Sequence, residues 1–219
     1  MRRIFLPLPG VVLLAACAGT PALLPMPVPT LPPVTPERAY EIVDYKAKES
    51  GEALPEWVSQ YLSGGIAGVE ALPEYAGAYV FIEETVSARI NALNQEALGF
   101  SLNQDFPRLV AARVLARLTG AAGGEPDRIY GRYFEDLVKN SIDAGYSGAR
   151  IEADFWLLRR YEEEDGTDST PMYSFFLLVR IERNLLKSQL NKILNTAAQG
   201  TREQIQAIER LKTNFYEDF

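Results

Sequence analysis

The sequence predicts an α+β fold, an antiparallel sheet with helices packed on one face, in the order α-α-β-α-α-β-β-α with a further helical tail. Three observations carry this expectation. Ala149–Tyr161 and Tyr173–Ile181 alternate apolar and polar residues at the period of two that a strand requires. The polar run Glu162–Pro171, with Asp165 and Gly166 inside it, joins them as a hairpin. Asp105–Thr119 and Asp127–Ala144 repeat apolar residues at helical spacing instead. The third observation is composition: 47% hydrophobic and 23% charged residues in a chain of 219 belong to a packed core.

Taken in order, residues 1–16 read as a removable leader. Arg2 and Arg3 supply the positive start, Ile4–Leu14 the apolar stretch, and Ala15 and Ala16 the small residues of a cleavage site. The stretch is shorter than the roughly 20 residues a spanning helix needs, and Pro7 and Pro9 interrupt it. Leu14-Ala15-Ala16-Cys17 resembles the lipobox of bacterial lipoproteins. That resemblance implies lipid on the Cys17 thiol and a membrane hold through acyl chains, each buried methylene contributing about 0.8 kcal/mol. Ala18 stands where an aspartate would retain the protein at the inner membrane, so the resemblance implies the outer membrane. A secretory signal that happens to end in cysteine is the alternative.

Residues 17–35 form the expected tether. Pro21, Pro25, Pro27, Pro29, Pro32 and Pro33 remove amide donors and fix φ, with Pro36 just beyond. Such a segment favours polyproline II at about 3.1 Å per residue, a reach on the order of 50 Å. It is a spacer or a proline recognition motif.

Residues 36–219 are then one domain. Thr35-Pro36-Glu37 offers an N-cap, a first-turn proline and an early acid, which predicts a helix from Pro36 to about Lys48. Pro55-Glu56-Trp57-Val58 opens a short helix expected to stop at Gly64-Gly65. A loop with about one helical turn follows up to Gly77. Ala78–Ala88 is a predicted strand with Val80, Ile82 and Val86 on one face and Glu84 interrupting them. In the helix from Asp105 the stripe is Val110, Val114 and Leu118; in the helix from Asp127 it is Tyr130, Phe134, Val138 and Ile142. The first hairpin strand places Ile151, Ala153, Phe155 and Leu157 on one face. A helix from Asn184 to about Ala198 closes the domain. The tail from Thr201 to Tyr216, with Ile205, Ile208, Leu211 and Phe215 at helical spacing, is expected to dock on its own domain.

Two absences narrow the chemistry. There is no histidine, which removes the usual general base, the histidine-dependent nucleophiles and nearly all zinc sites. The only cysteine is Cys17, so the domain after it has neither a disulfide nor a thiolate site. No phosphate-cradling glycine loop is present, and no cofactor is expected. Net charge is −7 and becomes more acidic once Arg2 and Arg3 are cut away, which sets the chain against nucleic acid.

The remaining candidates each have a plain alternative. Glu83 and Glu84 point to opposite faces of a strand, so they are no close carboxylate pair. The buried one is expected to pair with an arginine of the 108–117 helix. The acidic tip Glu162–Asp165 with Asp168 and Ser169 lacks EF-hand spacing and reads as a solvated loop. Trp156, Arg150 and Arg160, with Arg159 beside them, are the candidate partner surface, or simply the wet face of the sheet.

Between Pro55 and Leu190 three segments resemble the bacterial twenty-kilodalton outer-membrane lipoprotein family. They are the Pro55-Glu56-Trp57-Val58 entry, the alanine-rich Ala111-Ala112-Arg113-Val114-Leu115-Ala116, and the closing strand Phe176-Leu177-Leu178-Val179-Arg180-Ile181. That fold is similar to the N-terminal domain of flagellar assembly protein T. The resemblance implies an envelope interaction or assembly factor with no catalytic residues to carry over. The tail beyond Leu190 departs from the pattern. The expected role is therefore a non-enzymatic, membrane-anchored envelope lipoprotein with a protein partner. A lipid- or small-molecule-binding lipoprotein is the alternative. A glycan hydrolase comes third; it requires two carboxyls about 5 to 10 Å apart around a cleft.

Overall fold

The computed structural model describes residues 39–91, 99–121, 131–162 and 169–196, with positions 205, 206, 209, 210, 212, 213 and 215 of the tail. The leader, Cys17, the tether and the acidic tip 163–168 lie outside the described residues. In chain order the elements are β1 (Tyr40–Tyr45), α1 (Glu56–Glu70), β2 (Ala78–Ser87), α2 (Phe106–Ala121), α3 (Gly131–Asp143), β3 (Arg150–Tyr161), β4 (Met172–Glu182) and α4 (Arg183–Thr196). The four strands form one antiparallel sheet in the order β1-β3-β4-β2. The class is α+β, with the β3–β4 hairpin at the centre of the sheet.

Where a helix was expected from Pro36 to Lys48, Tyr40–Tyr45 is an edge strand paired with β3. The cap signal at Thr35–Glu37 speaks only for a first turn. Tyr40, Ile42, Val43 and Tyr45 are the aromatic and β-branched types that fit a pleated surface, and tertiary contacts decide the matter. The Tyr40 ring packs 5.8 Å from Tyr161 and the Tyr45 ring 6.3 Å from Phe155.

Gly64-Gly65 does not end α1 but bends it. Gly65 takes φ 60° and ψ −155°, a conformation open essentially to glycine alone, and the chain resumes helix to Glu70.

The sheet is covered on both faces. Helices α2, α3 and α4 share one face, as expected, but α1 lies on the other. Under α1, Trp57, Val58 and Val69 pack on Val80, Ile82, Phe155, Leu157, Phe176 and Leu178. On the opposite face, Phe106, Val110, Leu118, Leu137, Leu186 and Leu190 pack on Tyr79, Phe81, Val179 and Ile181. Strand β4 is therefore buried on both sides from Ser174 to Val179. Phe215 of the tail is 1% exposed in this second core, and Lys212 Nζ donates to Asn195 Oδ1 at 3.1 Å, so these positions dock on their own domain.

Ile151 does not share a face with Ala153, Phe155 and Leu157. The register slips between Ile151 and Ala153, and this bulge inverts the alternation, leaving Ile151 46% exposed.

Both outer strands carry side-chain fixtures along their free edges. On β2, Glu70 Oε1 accepts the Val80 amide at 3.0 Å. Arg113 Nη1 donates to the Val80 carbonyl at 3.2 Å, and its two nitrogens hold the Glu70 carboxylate at 2.8 and 3.1 Å. The pair thus joins α1 to α2 around the sheet edge. On β1 the register slips between Ile42 and Asp44, and Lys48 Nζ donates to the Val43 carbonyl at 2.6 Å.

Candidate functional site

Helices α2, α3 and α4 cover only part of their sheet face. Among the described residues, Phe175 and Leu177 of β4 pack on the rest of it against Phe100 and their sheet neighbours Trp156 and Tyr173, all three partly exposed. At its β2 side lies a cleft of about 360 Å³ lined by Glu83, Thr85, Gly99, Phe100, Asp105, Phe175 and Leu177. Its geometry follows from register. Glu83 stands opposite Leu177 and Thr85 opposite Phe175, so alternation turns all four toward this face. Asp105 arrives from the start of α2. Its carbonyl accepts the Arg108 amide at 3.0 Å, and its Oδ2 accepts the Ser101 amide at 2.8 Å, which fixes the carboxylate at the cleft.

Burial raises the pKa of Glu83, and the neighbouring Asp105 charge raises it further. Among the described residues no cation lines this cleft. Arg108 meets Asp105 at 3.3 Å, but its side chain is 70% exposed. The carboxyls brought to one cleft are Glu83 and Asp105, not Glu83 and Glu84. The latter two diverge, as alternation requires.

Glu84 belongs to a separate polar group under α1. Its partner is Arg159 of β3; the more buried of the two glutamates is Glu83, where an arginine of the 108–117 helix was expected and the described lining holds Asp105 instead. That helix does supply an arginine, Arg113, but it reaches Glu70. Arg159 is 7% exposed, so it is no part of a wet face. Its Nε donates to Ser174 Oγ at 3.0 Å, and its guanidinium lies 5.3 Å from the Tyr40 ring centre, 5.5 Å from Phe176 and 5.7 Å from Tyr161. Burial first, and then the Glu84 charge, push Tyr61 beside this group up to about 12. Arg159, Ser174 and Glu84 thus form one polar network, buried at Arg159 and Ser174 and open to solvent at Glu84.

Of the three residues expected to form a partner surface, the fold brings two to one face. Trp156 stands opposite Phe175, half-buried, with its ring edge-on to Tyr173 at 5.6 Å. Arg160 lies on the same face, 3.5 Å from Glu41 of β1. Arg150 precedes the bulge, faces the α1 side and pairs with Glu152 at 2.9 Å. Sequence reading missed Asp105 and Phe100 as site residues. Aspartate before a helix signals a cap, and only the tertiary fold places it beside Glu83.

Among the described residues, no helix is long and apolar enough to cross a membrane, and no group of three or more ligating side chains converges as a metal site would need. Comparison with protein-family models, curated proteins and solved structures finds no match.

Proposed function

We propose that this chain is a lipid-anchored envelope lipoprotein, held on Cys17 at the outer membrane, whose α+β domain recognises a protein partner without turnover. The observation that carries the binding role is the sheet face that, among the described residues, is incompletely covered, where Trp156 and Tyr173 stand partly exposed beside Phe175 and Leu177. Aromatic anchors on a rigid sheet are the side chains that dominate interface energetics. The lipobox-like Leu14–Cys17 and the proline run after it support the anchoring role, and the family resemblance supports an envelope setting.

The test pairs fractionation with crosslinking in the native host. Wild type is expected in the membrane fraction with acyl mass on Cys17, and Cys17→Ser in the soluble fraction. A photo-crosslinker at position 156 is expected to capture an envelope protein, and one at exposed Glu135 of α3 is not. A soluble, unmodified wild type defeats the anchor; equal labelling from both positions defeats the surface.

The cleft favours a second reading, a small-molecule-binding lipoprotein, and it also supplies the hydrolase reading with a candidate pair in Glu83 and Asp105. Release of reducing sugar from cell-wall glycan that Glu83→Gln abolishes would establish the hydrolase. Ligand uptake without turnover would establish the binder.

A further inference from the structure

We propose that the cleft between β2, β4 and the start of α2 binds an organic cation, an ammonium or guanidinium group carried on an apolar stem. The inference rests on the binding role proposed above and names the chemistry that one part of the surface accepts.

Three features select this ligand. First, among the described residues the ionisable groups lining the cleft, Glu83 and Asp105, are both acids, and Thr85 adds a hydroxyl acceptor. Two carboxylates sharing a cleft repel one another, and a cation between them relieves that repulsion while an anion adds to it. Second, the other walls are Phe100, Phe175 and Leu177. An apolar stem gains there what a hydrated metal ion does not, and the faces of phenylalanine rings attract cations within about 6 Å. Among the described residues no third ligating side chain joins the two carboxylates. Third, a cleft of about 360 Å³ lies at the small end of the usual range of about 300–1,000 Å³, the scale of a short ligand or one inserted side chain. The group has two possible sources, a free alkylamine or alkylguanidine and the lysine or arginine of a protein partner. Their shared chemistry is what the cleft recognises.

The test is calorimetric titration of the full chain with butylguanidinium and butylammonium chlorides, with butanol as a neutral ligand of the same stem. Blocked pentapeptides centred on arginine or norleucine complete the set. Both cations are expected to bind and butanol not to. Glu83→Gln and Asp105→Asn should each weaken cation binding about tenfold or more, the effect of one lost charge-assisted hydrogen bond. Thermal melts of both variants establish that they are folded, and Glu83→Gln removes a charge the fold disfavours.

Tighter binding of the arginine peptide than of butylguanidinium assigns the source to a protein partner; the reverse assigns it to a free small molecule. Equal binding of butanol and cations, cation affinity unchanged in both folded variants, or no heat from either cation overturns the proposal. If the cations fail while position 156 still captures an envelope protein, this inference falls and the function above stands. If the cations bind but no envelope protein is captured, the cleft stands and that function falls.

Discussion

Glu83 carries its carboxyl half-buried into the cleft beside Asp105, and both burial and the Asp105 charge raise its pKa. The native state therefore holds that proton more tightly than the unfolded chain does. Stability falls as pH rises from the ordinary glutamate value of about 4.3 through the raised one, and the full cost persists above it. Glu83→Gln is thus expected to be more stable than wild type at about pH 7, with the advantage gone near pH 3, where Glu83 is protonated in the folded and unfolded chain alike. Paired urea melts at the two pH values check this. Arg159 presents the opposite case. Replacing it with methionine leaves the Glu84 carboxylate without its cation and the buried Ser174 hydroxyl without its donor. A loss of about 1–3 kcal/mol is expected, chiefly from the unpaired buried hydroxyl, and Arg159→Met with Ser174→Ala should recover most of it in urea melts. The divergence of these neighbouring glutamates was legible from strand alternation alone. Their partners were not, because Asp105 and Arg159 come from distant parts of the chain and nothing local marks the encounter.

Gly65 sets the shape of α1. Its φ and ψ admit essentially glycine only, so Gly65→Ala is expected to cost about 1–3 kcal/mol, read from the denaturation midpoint. The added methyl itself meets open space, so the cost is conformational. The glycine pair was legible as an interruption. That the helix resumes was not, since Ile66 and Val69 continue only because they pack on the sheet beneath α1. The same physics explains the elements read well and badly. The two central strands and the long helices declare themselves through periodicity over ten residues or more. Strand β1 has six residues, too few for its period to outweigh a strong cap signal, and only its pairing with β3 makes it a strand. The bulge after Ile151 was hidden for a related reason: alternation in a sequence carries no mark where one residue is stepped over.

At the scale of the molecule, the Glu70–Arg113 bridge is the one described ion pair that ties the two helical layers together past the edge of the sheet. Glu70→Ala strips the Val80 amide of its acceptor and leaves Arg113 without this partner. The expected result is a loss of about 3 kcal/mol and concentration-dependent self-association through the bared strand, measured by denaturation and by sedimentation. In the intact protein the same arrangement governs how β2 exchanges its protons with solvent. An outward-facing amide on an edge strand normally trades its hydrogen quickly, because water is its only partner. The Val80 amide donates instead to a carboxylate that is itself fixed from the opposite side. In deuterium oxide it should therefore stay protonated as long as the amides of β4 at the centre of the sheet, so that by this clock the molecule has an interior strand at its rim.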